Sequence, residues 1–400
     1  MKPLYDAIEA YAAVKGRFHM PSHGGDPSAL FKDKRERLYA SCAFDITELS
    51  FSDNLASPVG VIRQAEELAA KAYGAEKTLF FAGGATDAVR TALWCLRDKK
   101  IAFLGDMHKS FHSVARLFSL SVVEKKDLSD SENEKIEVVC VTSPDYYGRV
   151  KDLTEVVAFC EKTGAILLVD EAHGAHFAFS PLLPKSAVNS ADFVIHGAHK
   201  TLPVYTGGAM LHVKKKFYDA AVSARRECVS TSPSYLVMAS LDYAREFMEE
   251  KGERLYAELK QRLDDLKKKY KTISVLPADD FTRLTVLRPG GGHALGAYLE
   301  KNGIFAEAQN ADSVTFIVTP FNEDSLETLF SLCAGFDGKN AKKADLSDLI
   351  GKVSEEDVGV YPPGVPIVKK GEVFTAEAVK VLEENLDRLF GLSGGTIKAK

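Results

Sequence analysis

The stretch AILLVDEAHGAH (Ala165–His176) and, further on, ADFVIHGAHK (Ala191–Lys200) decide the fold. Each is a short, continuously apolar run that ends in polar residues. Such runs are strands covered on both faces, whereas a half-exposed strand alternates. The same signature appears on either side, in Thr78–Phe81, Ile101–Leu104, Ile136–Thr142 and Ala209–Val213. Helical patterns separate the runs. In DLTEVVAFCEKTG, Asp152 and Glu155 have capping-box spacing and Gly164 supplies a stop. Strands alternating with helices predict an α/β domain with a mostly parallel sheet. Ligands in such sheets sit beyond the carboxyl ends of the strands, which singles out the loops after Phe81, Leu104, Thr142, Asp170 and His196.

Beyond this region the pattern changes. Pro233–Tyr270 reads as a long helix with a densely charged, solvated face. TISVLP, TRLTVLRPGG and SVTFIVTP are strand candidates between helices near 294–302 and 323–334, a smaller α+β unit. A polar segment, Gly338–Glu356, precedes the stiff YPPGVP and a final helix over 375–390. The expected organisation is an N-terminal arm over 1–50, a large domain over 51–250 and a small C-terminal domain over 251–400.

Composition removes whole classes of function. With 400 residues and 46% hydrophobic content the chain can bury a large core. Its 51 basic against 56 acidic residues argue against nucleic acid, which is held by clustered Lys and Arg. No apolar run approaches a membrane span, and the N-terminal MKPLYDAIEAYAAVKG lacks a signal-peptide core. Six scattered cysteines without a CxxC pair fit a reduced, cytoplasmic protein.

Histidines concentrate in the predicted carboxyl-end loops: His108, His112, His173, His176, His196 and His199, with His212 nearby. They form close pairs, but none is HExxH on one helix face, and no metal is expected. Asp170 and Lys200 are more informative. A desolvated lysine at a strand end is an amine nucleophile. A buried acid can pair with a protonated heterocyclic nitrogen, and the two together are what pyridoxal 5'-phosphate (PLP) requires. Either alone is an ordinary surface lysine or capping aspartate. FFAGGATDAVRTALWCL adds a Gly-rich turn, Gly83-Gly84-Ala85-Thr86, ahead of a helix whose N-terminus favours an anion.

These motifs resemble the Orn/Lys/Arg decarboxylases of the fold type I PLP-dependent superfamily. The resemblance rests on FHMPSHGG (Phe18–Gly25), DITELSFSDNLASPVGVIRQAEELAAKAYGA (Asp45–Ala75), FAGGAT, HKS (His108–Ser110), TSPDYYG (Thr142–Gly148), VDEAHGAH, HKTLP (His199–Pro203) with GGAMLHV, and YPPGVPIVKKGE (Tyr361–Glu372). It implies a PLP-binding large domain of transferase-like fold with a mostly parallel sheet, and a smaller α+β C-terminal domain. Lys200 would carry the cofactor, and Asp170 would keep its ring nitrogen protonated. His108 would stack on the ring, with Ala172 on the other face. Thr86, His199 and the N–H groups of Gly84 and Ala85 would hold the phosphate. His173 would sit near the substrate carboxylate or the carbon being protonated. His112, His176 and His196 are read as packing. The appearance of FHMPSHGG by Phe18 implies a short form lacking the N-terminal wing domain of longer members.

The implied reaction is decarboxylation of lysine, arginine or ornithine by a homodimer or higher oligomer. Asp53, Asp145 and Glu372 are the candidate partners of the distal cation. The pattern is not complete. Ala85 and Gly197 stand where the family has serines, Gly83 replaces the asparagine of NGST, Gly105-Asp106 replaces Arg-Asn, and Asp145 interrupts TSPTYYG. Each lost hydroxyl removes a hydrogen bond worth about 0.5–1.5 kcal/mol. Another PLP reaction, aminotransferase or lyase, and a catalytically impaired member therefore stand as alternatives.

Overall fold

The computed structural model describes residues 1–14, 17, 20, 40–129, 134–338, 346–360, 364–385, 389–393 and 396–400. FHMPSHGG, apart from Met20, and Tyr361–Pro363 of the YPPG motif lie outside the described residues. The chain divides into two compact units, Met1–Gly105 with Ser113–Pro144 and Lys151–Arg254, and Asp106–His112 with Asp145–Val150 and Leu255–Lys400.

In the first unit, α1 (Pro3–Ala12) and α2 (Val61–Tyr73) precede β1 (Lys77–Phe81), α3 (Ala85–Cys95), β2 (Ile101–Leu104) and α4 (Lys109–Leu117). Then follow β3 (Val122–Lys125), β4 (Val138–Thr142), α5 (Thr154–Thr163), β5 (Ile166–Asp170), β6 (Phe193–His196), β7 (Ala209–Val213), α6 (Tyr218–Cys228) and the start of α7 (Tyr235–Lys269). The seven strands form one sheet in the order β1-β7-β6-β5-β4-β2-β3. Neighbours from β3 through β6 run parallel, and β7 runs antiparallel to both β6 and β1. The carboxyl ends of β1, β2, β4, β5 and β6 therefore share one edge.

Residues of β2, β4, β5 and β7 are buried along almost their full length, as continuous apolar runs require. Val139, Val141, Leu167, Val169 and Val194 pack against Val156, Phe159 and Cys160 of α5 in one core cluster. At about 1.5–3 kcal/mol per fully buried aliphatic side chain, this layer stabilises the sheet far more than local propensity does. α2 buries Ile62, Ala65, Ala69, Ala70 and Tyr73, a 3.6-residue stripe, and ends at Gly74, whose φ of 67° is left-handed. The described part of the N-terminal segment belongs to this unit. Leu4 and Ile8 are fully buried, and the Leu4 N–H donates to Asp242 Oδ2 at 3.0 Å.

Two sequence readings change in this unit. β3 escapes periodicity analysis because it is short, only partly buried, and runs straight into a charged stretch. Asp152 does not form a capping box with Glu155. Its Oδ1 accepts from the Thr154 N–H at 2.9 Å and from the Thr154 hydroxyl at 2.6 Å, a local Asx-type turn ahead of α5.

The second unit holds β8 (Ser274–Val275), β9 (Arg283–Leu287), α8 (Gly292–Lys301), β10 (Ala308–Gln309), β11 (Ser313–Ile317) and α9 (Leu326–Gly335). Strands β10-β11-β9-β8 form an antiparallel sheet. β12 (Val358–Val360), β13 (Val365–Val368), α10 (Ala376–Glu383) and β14 (Leu389–Phe390) complete it around Val358, Val368, Phe374, Val379 and Leu382. The expected last helix thus stops at Glu383, and Leu389–Phe390 pairs with β12 as a strand. Among the described residues no helix is long and apolar enough to cross a membrane.

Candidate active site

Three turns at the carboxyl edge of the first unit's sheet carry most of the predicted site. The turn after β5 holds Asp170, Ala172 and His173. Asp170 is buried, and its Oδ1 accepts the Ala172 N–H at 3.2 Å. Burial pushes its carboxyl group upward in pKa, while the Lys200 charge and the Ala172 N–H pull it back. The turn after β6 is a single 3-10 turn, Ala198–Lys200. It brings Lys200 Nζ to 3.1 Å from His173 Nε2. A backbone hydrogen bond from Gly197 N–H to the Ala172 carbonyl, 3.1 Å, ties the two turns together.

The third turn, Gly83-Gly84-Ala85-Thr86, follows β1. Gly84 is the N-cap of α3 at φ 83°, a backbone setting that disfavours side chains, and a Cβ there would meet nothing within 4 Å. Ala85 and Thr86 are the first residues of α3, where helix N–H groups have no intrahelical acceptor. The expectation for Gly84 needs correcting. Its N–H donates to the Gly207 carbonyl at 2.6 Å and is not free for an anion. His199 is placed by two contacts to the Gly208 carbonyl, from its N–H at 3.1 Å and its Nδ1 at 3.0 Å. A carbonyl only accepts, so Nδ1 carries a proton. Burial lowers the pKa of this ring below the usual histidine value.

Asp87 adds a group that sequence reasoning missed. Its carboxylate folds back over Gly83, so closely that a Cβ on Gly83 would lie 1.9 Å from Asp87 Oδ2. Arg90 Nη1 holds Asp87 Oδ1 at 2.9 Å, and burial raises the carboxyl pKa. Gly197 is also fitted to its place. A Cβ there would stand 2.9 Å from the Ala172 carbonyl oxygen and 3.1 Å from Lys200 Cδ.

His108 belongs to the second unit. Its Nδ1 lies 2.8 Å from Ser110 Oγ and accepts the Ser110 N–H at 3.2 Å, which fixes the ring at the start of α4. The three carboxylates expected to meet a distal cation have other work in this structure. Asp53 Oδ1 accepts from the N–H groups of Asn54 and Val59, and Oδ2 from Gly60 and Ile62, so it caps the entry to α2. Asp145 accepts from the N–H groups of Tyr147 and Arg149 and from Arg149 Nε at 2.7 Å. Glu372 is exposed and accepts the Lys369 N–H at 2.9 Å. All three are turn caps, made from the short local geometry that such residues favour.

The site fits a pyridoxal-type cofactor at its ring end and less fully at its phosphate end. A buried acid beside a lysine charge suits a protonated ring nitrogen, and the open cradle at Gly84 before a helix N-terminus suits an anion. Among the described residues no group of three or more His, Cys, Asp or Glu is placed to hold a metal ion.

The sheet order, the antiparallel β7 and a lysine and an acid at adjoining strand ends define the fold type I architecture of PLP-dependent enzymes. The chain belongs to the Orn/Lys/Arg decarboxylase family: the major-domain model of that family matches residues 2–121 and 116–290, and the C-terminal-domain model matches 334–385. The Bacillus subtilis uncharacterized protein YaaO is 29% identical, over 95% of this chain and 93% of its own. The arginine decarboxylase of Bacillus subtilis is 26% identical, over 96% and 94%. Among solved structures, the Francisella novicida lysine decarboxylase LdcF has a TM-score of 0.80 at 15% identity, covering 100% of this chain and 81% of that one. A structure of SPT with PLP has a TM-score of 0.55 at 18% identity, covering 68% and 76%.

Proposed function

We propose that this amino-acid decarboxylase is PLP-dependent and acts on a basic amino acid, lysine, arginine or ornithine, with release of CO2 and the corresponding amine. The observation that carries the proposal is the pairing of Lys200 with Asp170 at adjoining strand ends, with His173 at hydrogen-bond distance from the lysine amine. The arginine and lysine decarboxylases among the relatives support the substrate class.

When bound, the cofactor supplies an electron sink for the bond pair left behind as CO2 departs. Asp170, as an anion, would hold a proton on the ring nitrogen. Lys200 would form the covalent link to the cofactor, for which its amine must first lose a proton. His173 Nε2, 3.1 Å from Nζ, would take that proton and return it. Thr86, the amides of Ala85 and Thr86, and His199 Nε2 would hold the phosphate. Because His199 Nδ1 already donates to Gly208, Nε2 can donate to an anion only when the ring is protonated. The working unit is proposed to be a homodimer.

A second reading, another PLP reaction or a weakened family member, is favoured by Asp87 over Gly83 and by the missing hydroxyls at Ala85 and Gly197. One assay separates the two. CO2 and amine are measured against keto acid over a panel of amino acids, with PLP in excess. CO2 release from a basic amino acid is expected, and keto acid without CO2 would replace the first reading with the second.

A further inference from the structure

A line of buried hydrogen bonds runs across the first unit's sheet behind the three site turns. Glu171 follows Asp170 directly, and its carboxylate turns away from the Ala172–His173 side of the site. Oε1 accepts the Ala187 N–H at 2.9 Å, and Oε2 accepts the Ser186 hydroxyl. His196 Nε2 lies 2.7 Å from Glu171 Oε2, His212 Nε2 lies 3.0 Å from His196 Nδ1, and Thr78 Oγ1 lies 2.8 Å from His212 Nδ1. All four residues are at least 98% buried. Strand register builds the line. Thr78 pairs with His212 between β1 and β7, and Val194, two residues before His196, pairs with His212 between β6 and β7. The three side chains thus share one face. The ring of Tyr73, from α2, packs on both imidazoles at 5.1 and 4.7 Å between centroids, and its hydroxyl donates to the Ala175 carbonyl at 2.8 Å.

Each link between these groups shares one proton, and neutral imidazole has one donor and one acceptor nitrogen. Two consistent settings follow. With Glu171 ionised, donors point toward it: Thr78 hydroxyl to His212 Nδ1, His212 Nε2–H to His196 Nδ1, His196 Nε2–H to Glu171. With Glu171 protonated, every donor reverses, and both histidines carry their proton on Nδ1. We propose that Glu171, His196, His212 and Thr78 act as one two-setting relay, in which the proton on Glu171 fixes the direction of every link and the charge beside Asp170.

Burial supports a switch within reach of neutral pH, since it raises Glu171 to about 8 and lowers His196 to about 3 and His212 well below its usual value. The groups facing the carboxylate are His196 from β6, Ser186 and the Ala187 N–H from the following loop, and His176 and Asp170 from its own segment. His196 faces His212, Tyr73 and His176 in addition. Ionised Glu171 raises the proton affinity of Asp170, and neutral Glu171 removes that effect while the Lys200 charge still lowers it. These residues are positioning groups, since none is assigned to touch substrate. Thr78 lies on β1, which leads into the Gly83–Thr86 turn, Glu171 lies within the Asp170–His173 turn, and His196 immediately precedes the Gly197–Lys200 turn.

The functional weight of the relay rests on the proposed role of Asp170, but its test does not. Nitrogen-15 NMR of the histidine rings, on the protein alone without PLP, reads the tautomers directly. In the wild type, His196 and His212 are expected to carry Nδ1–H near pH 6.5 and to switch together to Nε2–H as pH rises past about 8. In Glu171→Gln, the amide oxygen accepts from Ala187 and the amide nitrogen faces His196, so both rings are expected to stay Nδ1–H up to pH 9.5. Independent titration of the two rings, or a switch that persists in Glu171→Gln, would overturn the proposal. Should Glu171→Gln fail to fold, Thr78→Val serves: loss of the terminal hydroxyl is expected to move the midpoint of the coupled switch, and an unmoved midpoint would also overturn it. Borohydride trapping of PLP on wild-type Lys200 is run in parallel. Its failure would remove the functional reading while leaving the relay standing.

Discussion

Lys200 Nζ and His173 Nε2 lie 3.1 Å apart, joining the residue that ends one site turn to the side chain that faces it from another. A hydrogen bond of that length gives a proton on the amine a path to the imidazole, as the proposed nucleophilic role of Lys200 requires. Lys200→Ala is expected to abolish CO2 release and the borohydride-stable attachment of PLP. His173→Gln is expected to lower turnover by about 10²–10⁴-fold, the usual range for a lost acid–base group, while leaving the attachment site intact. Mass spectrometry of the trapped peptide and a CO2 assay check the two effects separately.

Phosphate binding should depend on pH through His199. Its Nδ1–H is committed to Gly208, and burial lowers the ring's pKa, so in the free protein the ring is neutral at pH 7. An anion at Nε2 needs the imidazolium, so binding takes up a proton and tightens as pH falls below 7. Spectroscopic titration with PLP between pH 5.5 and 7.5 should show this slope in the wild type and lose it in His199→Asn. Equal slopes would remove His199 from the phosphate site.

Asp87 sets a negative charge in the first turn of α3, beside the proposed phosphate cradle. Asp87→Asn should tighten PLP binding by roughly fivefold, the equivalent of about 1 kcal/mol of helix-terminal electrostatics, and cost stability by a similar amount. Gly197→Ala should act in the opposite sense on the site. The added Cβ meets the Ala172 carbonyl and the Lys200 stem, an overpacking cost of about 1–3 kcal/mol, and it should slow trapping at Lys200. Denaturant melts and trapping rates measure both.

Glu66 and Arg225 form a fully buried pair, with Nη1 2.5 Å from Oε1, and Glu66 Oε1 also accepts the Phe80 N–H at 2.8 Å. Burial raises the Glu66 carboxyl pKa and opposes the pull of Arg225. Glu66→Ala strands the guanidinium in the interior and should cost about 3–5 kcal/mol in urea unfolding, whereas a surface pair such as Arg63–Glu67 should cost under about 1 kcal/mol.

Relay protonation also predicts how stability responds to pH. Glu171 has a folded pKa of about 8 against an ordinary glutamate value of 4.5, so between those limits the folded state binds more protons. Its contribution is complete below about 4.5 and is lost as pH rises toward 8. Glu171→Gln has no such loss. The Tm of Glu171→Gln minus that of the wild type should therefore climb across pH 4.5–8, and a flat difference would show that Glu171 does not change protonation on unfolding.

The sheet, and the position of Asp170 and Lys200 at its carboxyl edge, were legible because their signals are local. An uninterrupted apolar run fixes a covered strand, and Asp170 and Lys200 stand directly at the ends of two of them. Asp87 was not legible, because its carboxylate reaches Gly83 by folding back over its own helix end. The relay was hidden for another reason. His196 and His212 stand 16 residues apart in sequence and meet through the pairing of strands whose order no single segment specifies. A signal was present in retrospect: Glu171 after a strand, His196 ending the next and His212 inside the one after it are polar groups in otherwise apolar buried runs, and such groups need partners. The carboxylates at Asp53, Asp145 and Glu372 looked free because capping bonds go to backbone amides, which a residue pattern does not display.

The close fit of Asp87 over Gly83 also constrains the order in which this loop could have changed. A side chain at 83 would overlap the carboxylate at 87 where it now lies, so the carboxylate must swing away at the expense of its contact with Arg90. Any mutational path between this loop and one bearing asparagine at 83 must alter Asp87 or turn it outward first. The reverse order passes through an intermediate in which Asp87 is displaced from Arg90. Combinatorial libraries at 83 and 87 should accordingly show sign epistasis, with Gly83→Asn harmful in the Asp87 background and tolerated once residue 87 is alanine.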